Sequence, residues 1–205
     1  MSPLPTRMSD HWWWRPGIKP GRDLLVWHIT FDDASHVRTL AETAQKPLRP
    51  LAGLDLVPLD WLHMTTLIVG HRDEIDPANV EKMTTAAQET LGGIQPITVE
   101  LGKVWFHPEA VMLSPHPAES LAPIYEHIRQ AAAHAIPEDD IPAQWLPHMS
   151  IAYSNSDGPA APVVEALTPR PRPVSWTAQA VHLVAQRRHG HSYRWERLAT
   201  ALLGT

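Results

Sequence analysis

The 205-residue sequence predicts an α+β fold in which one strand–helix–strand unit is written twice. Three observations lead there. Short apolar runs rich in β-branched and aromatic residues alternate with longer segments that carry helix start and stop signals. The phrase WLHMTTLIVG, beginning at Trp61, returns as WLPHMSIAYS from Trp145. The spacing from Ala34, where the first helix should start, to His63 differs by one residue from the spacing between Ala118 and His148.

The elements follow in order. Residues 1–23, rich in Pro, Gly and Trp, lack any period and read as an irregular arm, set apart from a single domain over 24–205. The run DLLVWHITFDD is an expected strand. A helix over 34–45 should start at Asp33 and stop before Pro47. A strand is expected over 61–69. The following helix has the clearest signals, with Asp76 as cap, Pro77 at its first position and Gly92 just past its end. Two strands, QPITVELGKVWF and AVMLSP, join around His107 and Pro108. A helix over 117–135 and a strand over 145–153 complete the second unit. A short helix over 159–167, a stiff RPRP connector and the strands SWTAQAVHLVAQ and SYRWERLATALL, turning at 187–191, close the chain.

Composition removes several function classes. The length suits one domain with a sizeable core. With 17 Lys and Arg against 22 Asp and Glu, the net charge is -5, so no broad positive field exists to hold a long polyanion. A nucleic-acid ligand should therefore be short or gripped locally. The absence of cysteine excludes disulfides, thiolate nucleophiles and Cys-based zinc sites. The opening segment lacks the apolar core of a signal peptide, and no 18-residue apolar run occurs. A soluble cytoplasmic protein without a membrane partner is expected.

The repeated phrase carries the chemistry. Residues two apart on a strand share a face, which pairs His63 with Thr65 and His148 with Ser150. An imidazole moves a proton, and a hydroxyl beside it donates to a non-bridging phosphate oxygen. Two such pairs across a cleft supply an acid, a base and two oxygen donors. Three of the 13 histidines precede a hydroxyl residue by two places, so the bare spacing is a weak signal; its context in the two units makes it stronger. The third case, His28-Ile29-Thr30, corresponds to Met112 in the second unit and falls outside the repeated pair. His28 is either a further substrate contact or a strand histidine satisfied by a hydrogen bond.

Other candidates surround the pair. Tyr153, at a further odd step from His148, is expected to share its face and to stack on a base or bind phosphate, or else simply to pack. HWWWRPG, at residues 11–17, is either an aromatic lid with Arg15 meeting phosphate or an arm whose Trp residues seal a core edge. Trp105 and His107 end a strand and are candidate cleft residues. In QRRHGH, Arg187 or Arg188 is a candidate backbone contact or a solvated turn. His11, His36, His71, His116, His127 and His134 lack any metal-ligand spacing, and no metal or cofactor is expected.

Taken together, the two motifs resemble those of the two-histidine (2H) phosphoesterases, specifically their bacterial 2′-5′ RNA ligase-like, cyclic phosphodiesterase branch. The family pattern is His, hydrophobic, Thr or Ser, hydrophobic, occurring twice. His148-Met149-Ser150-Ile151 matches in full; His63-Met64-Thr65-Thr66 departs at Thr66, which should face away from the pair. The resemblance covers residues 24–198. It implies a bilobal duplicated 2H fold, two antiparallel sheets flanked by helices and related by a pseudo-twofold axis, with a central cleft. It also implies His63 and His148 as the catalytic pair and Thr65 and Ser150 as phosphate ligands. The implied activity is metal-independent cleavage of 2′,3′-cyclic phosphates or 2′-5′ linkages, with a small nucleotide or short RNA end as partner. The alternatives are 2′-5′ ligation, a nucleotide-binding module without turnover, or a metallohydrolase, which chelator would reveal.

Overall fold

The structure is a computed structural model that describes residues 4–204. Its strands are Arg7–Met8 (β1), Leu24–Thr30 (β2), Leu54–Leu56 (β3), His63–His71 (β4), Ile97–His107 (β5), Ala110–His116 (β6), Met149–Ser154 (β7), Gly158–Pro159 (β8), Val174–Ala178 (β9), Ala180–Arg188 (β10) and Tyr193–Leu202 (β11). The helices are Ser35–Gln45 (α1), Pro77–Gly92 (α2), Ala122–Ala132 (α3) and Ala161–Ala166 (α4). Two antiparallel sheets carry the architecture, one in the order β11-β10-β2-β4 and the other β3-β7-β6-β5-β9. The α+β, bilobal class expected from the sequence is the observed one.

Local signals account for most elements. Asp76 caps α2 by accepting from the Ala78 amide at 2.8 Å, and Pro77 gives up no hydrogen bond at the first helical position. Asp33 does not cap α1: Ala34 holds that place, with no side-chain cap. The expected third helix is shorter, because residues Ala118–Leu121 form a 3-10 turn before α3. In the expected arm, β1 pairs with β8, and Met8 and Trp12 enter the core.

One expected strand, SWTAQAVHLVAQ, is two. Gln179 leaves the ladder, so β9 pairs with β5 while β10 pairs with β2 in the other sheet. A continuous apolar run reveals burial but not the identity of the partner strand, and the sheet change was invisible for that reason. Gly102 serves the same region. Its φ of 141° and a Cβ position only 2.8 Å from the Pro173 backbone leave no room for a side chain.

The helices cross over between units. α1 lies against β7 and β9 of the five-stranded sheet, whereas α2 packs on β11 and α3 on β4. Fully buried Trp27, Ile29 and Met64 from the first sheet and Leu101 and Leu113 from the second fill the core beneath them.

A one-residue slip follows each motif. His28 pairs with Thr65 but Trp27 with Leu67, leaving Thr66 as an extra residue. Met112 pairs with Ser150 but Val111 with Ala152, leaving Ile151 extra. The register thus equates His28 with Met112, as the sequence spacing implied, and Ile68 with Tyr153. Such slips are β-bulges, which re-aim the residues that follow. The Ile151 carbonyl oxygen accepts from the Val57 amide at 3.0 Å and from Gln45 Nε2 at 2.9 Å, so its bulge is pinned. Thr66 is buried with no partner for its hydroxyl. Replacing it by the isosteric valine, Thr66→Val, should gain about 1 kcal/mol by removing an unsatisfied polar group and raise the melting temperature by about 2–4 °C. A thermal melt that shows no gain would mean that the hydroxyl is satisfied.

Candidate active site

The cleft between the sheets has a volume of about 420 Å³ and is lined by His63, Thr65, His148, Ser150, Tyr153 and Trp105, among others. These six residues singled out from the sequence therefore converge on one cavity, and the candidate His107 lines it too. The first motif sits at the start of β4. The second His lies one residue before β7, so the strand expected over 145–153 forms its ladder only from Met149.

Both imidazoles are held in the same way. His63 Nδ1–H donates to the Trp61 carbonyl oxygen at 2.8 Å, and His148 Nδ1–H to that of Leu146 at 2.7 Å. A carbonyl oxygen only accepts, so Nδ1 must carry the proton and the neutral ring keeps its free lone pair on Nε2. In each motif the acceptor lies two residues upstream: Trp61 ends a 3-10 turn, whereas Leu146 lies in an irregular segment before the strand. Burial depresses His63 to about 4; the Trp61 bond opposes this and the nearby His148 adds to it. His148 is lowered too, first by burial, against the Leu146 bond and with help from His107. Both rings are neutral at pH 7 when the cleft holds no anion.

Tyr153 reaches the cleft by way of the bulge. Strict alternation would send a residue five places from His148 to the other face; the extra Ile151 restores it. Its phenol lies beside the Ser150 hydroxyl and is buried, which raises its pKa. Ile68, the equivalent residue of the first unit, borders the cleft as well. Trp105 stands edge-on to His148, ring centres 5.5 Å apart.

His28 is the correction. It is fully buried behind His63, with ring centres 4.2 Å apart, and does not line the cleft. Its Nε2–H donates to Gln186 Oε1 at 2.7 Å while Nδ1 has no partner. Of its two readings, the strand histidine held by a hydrogen bond fits and the substrate contact does not, because His28 shares the sheet face of Thr65 at a depth where Gln186 and Trp195 shield it.

Trp145, the lead-in of the second motif, donates from Nε1 to the Thr65 carbonyl oxygen at 2.8 Å. The two motifs are thus tied directly to each other. Sequence reasoning missed Glu109 and Tyr193 and met His11 only as the first residue of HWWWRPG; all three border the cleft. His11 stacks on Tyr153, ring centres 4.1 Å apart, and bonds Tyr193 Oη at 3.0 Å. Burial, then the Arg15 charge, lowers it to about 4. Glu109 accepts from Trp13 Nε1 at 3.0 Å and pairs with Arg15. The meeting of His11 and Glu109 has no local sequence signal, since an arm and a hairpin turn bring them together. Within HWWWRPG the two readings divide. Trp12 seals the core and bonds Asp55 at 2.9 Å, whereas Trp13 and Trp14 border the cleft. Arg187 pairs with Asp23, and Arg188 is the one of the two that lines the cleft. Among the described residues, no three His, Asp or Glu side chains form a metal-binding group. No helix there is long and apolar enough to cross a membrane.

Comparison with known proteins places this geometry. No curated protein matches the sequence. Among solved structures, TT0787 of Thermus thermophilus is 18% identical, with a TM-score of 0.66, over 88% of this chain and 98% of that chain. LigT of E. coli in its apo form is 16% identical, with a TM-score of 0.68, over 90% and 99%. LigT complexed with 3′-AMP gives 17% and 0.66 over the same shares. At these identities the likeness is one of fold. The profile of the 2′-5′ RNA ligase superfamily matches residues 32–190, well over half of the sequence, and includes both motifs. The chain belongs to the 2′-5′ RNA ligase superfamily, the two-histidine phosphoesterases.

Proposed function

We propose that this protein is a metal-independent phosphodiesterase that cleaves 2′,3′-cyclic phosphates or 2′-5′ phosphodiester bonds of small nucleotides or RNA ends in the cytoplasm. One observation carries the reading: two imidazoles, each locked with its Nδ1 proton on a carbonyl, border one cleft with a hydroxyl beside each. LigT has been solved with 3′-AMP, ATP and NADP+, which supports a small nucleotide as ligand.

For a cyclic phosphate, one neutral ring takes a proton from water through Nε2 as the water oxygen bonds to phosphorus. The bond from phosphorus to one ribose oxygen breaks, and the second ring, protonated, gives its Nε2 proton to that oxygen. The product is a phosphomonoester. The rings finish with their protonation states exchanged, and solvent resets them. Thr65 and Ser150 donate to the non-bridging oxygens, where charge builds in the transition state. The anion supplies what the free cleft lacks, because a negative phosphate between the rings stabilises the single imidazolium that the reaction needs. Ligation uses the same residues with a 5′-hydroxyl in place of water: one ring takes the hydroxyl proton as its oxygen bonds to phosphorus, and the other protonates the ribose oxygen that leaves.

His63→Ala and His148→Ala should each lower kcat by about 10²–10⁴-fold on the best of the four 2′,3′-cyclic nucleotides or a short 2′-5′ linked oligonucleotide. Activity retained in both variants would reject the two-ring mechanism. Excess chelator should leave wild-type turnover unchanged; its loss would point to a metallohydrolase.

The pH dependence has a definite sign. In the free enzyme both rings lie below their usual 6.5, His63 at about 4, so the singly protonated pair is most populated on the acid side. The bell for kcat/KM should centre below pH 6.5, and the bell for kcat should lie at higher pH because bound phosphate raises the pair. Coincident profiles centred above pH 7 would contradict this electrostatic account.

A further inference from the structure

Trp13 and Trp14 are 49% and 44% exposed and stand side by side at the mouth of the cleft. Large apolar side chains left open together commonly mark a binding surface. They are held in place. Trp13 is anchored through Nε1 to Glu109, and Arg15 lies over its ring at 5.2 Å. Four cationic side chains border the cleft, and three are already neutralised. Arg15 pairs with Glu109, Lys19 with Glu74, and Arg22 with Asp73 and Glu74.

Arg188 differs from these. Among the described residues it meets no carboxylate: Nε donates to the Gly190 carbonyl oxygen at 2.8 Å, and Nη1 to that of Trp12. Its guanidinium lies 4.5 Å from the Trp14 ring centre and 5.1 Å from that of Trp12. Two indoles thus fix a cation whose charge no side chain of opposite sign cancels. Next to it is an open aromatic face, and both adjoin the histidine pair through one continuous cavity. The superfamily profile begins at residue 32, so Trp13 and Trp14 lie outside the region it describes.

We propose that Trp13, Trp14 and Arg188 form a second nucleotide subsite, making the preferred substrate an oligonucleotide of at least two nucleotides. Its terminal phosphate occupies the histidine pair, the penultimate base stacks on the exposed indoles, and the internucleotide phosphate meets Arg188. This rests on the reading of the histidine pair as the phosphate site. Stacking tolerates any base, so the subsite selects for length rather than sequence. It also answers how an acidic protein grips a polyanion: at one local cation rather than through a broad field.

The test compares adenosine 2′,3′-cyclic phosphate with the dinucleotide ApA ending in a 2′,3′-cyclic phosphate. In the wild type, kcat/KM should favour the dinucleotide by about 5- to 150-fold, the worth of one stacked base. Trp14→Ala and Arg188→Gln should each pull that ratio toward unity, and Trp14→Phe should keep most of it. A merely structural role would change both substrates alike and leave the ratio in place. In parallel, binding of 3′-AMP and of ApA 3′-phosphate is measured by quenching of indole fluorescence, which needs no turnover. Tighter dinucleotide binding that Trp14→Ala and Arg188→Gln abolish, without hydrolysis of either cyclic substrate, would uphold the subsite and reject the proposed reaction. Hydrolysis with equal kcat/KM for the two substrates, or a preference that survives both substitutions, would overturn the subsite. Failure of both ligands to bind would overturn both.

Discussion

The one-residue slip after each His-x-hydroxyl motif is the constraint on which the site depends. Without it, the motif could present His and hydroxyl to the cleft, but the side chain five places from the His would point into the core. With it, three positions of one short segment face the same cavity, and each unit contributes such a set. Sheets resist slips, because an extra residue leaves backbone groups unpaired. The Ile151 carbonyl solves this with two donors, the Val57 amide and Gln45 Nε2. Gln45 comes from α1, a helix of the opposite unit. The shape of one half of the site is therefore held by a side chain from the other.

Electrostatics gives the cleft its second property. Burial keeps both rings neutral, and the carbonyl bonds set their tautomer, without any carboxylate partner. A carboxylate behind each ring would have raised its pKa and charged the empty cleft; a carbonyl fixes orientation at much less electrostatic cost. The charge needed for chemistry then arrives with the substrate. His28 behaves in keeping with this, since a charged ring behind His63 would oppose protonation there, and burial lowers His28 well below its ordinary value.

The motifs were legible because their chemistry is written in contiguous residues and written twice; family, fold class and convergence on one cleft followed from that. Tyr153 was expected on the correct face, although simple alternation would have placed it on the other, and only the bulge reconciles the two. His28 shows the limit of spacing as a signal. It has the same two-residue relation to a hydroxyl, yet its depth is set by Gln186 and Trp195 on strands about 160 residues away. Glu109 had no signal, and His11 only that of the HWWWRPG stretch it opens, because their meeting depends on how an arm folds over a hairpin. The break at Gln179 was hidden for a related reason: partner choice is a property of two sheets together, not of one apolar run.

That break has a mechanical consequence. β9 and β10, separated by a single residue, belong to different sheets; β3 of the first unit edges the second sheet, and β10 and β11 from the chain end complete the first. The lobes are interlaced, and Trp145 fastens one motif to the backbone of the other. Such a frame joins its halves at several separate points of the chain. One wall of the cleft between them is built by the arm from His11 to Lys19, so a segment outside both repeated units shapes the space that the two motifs share.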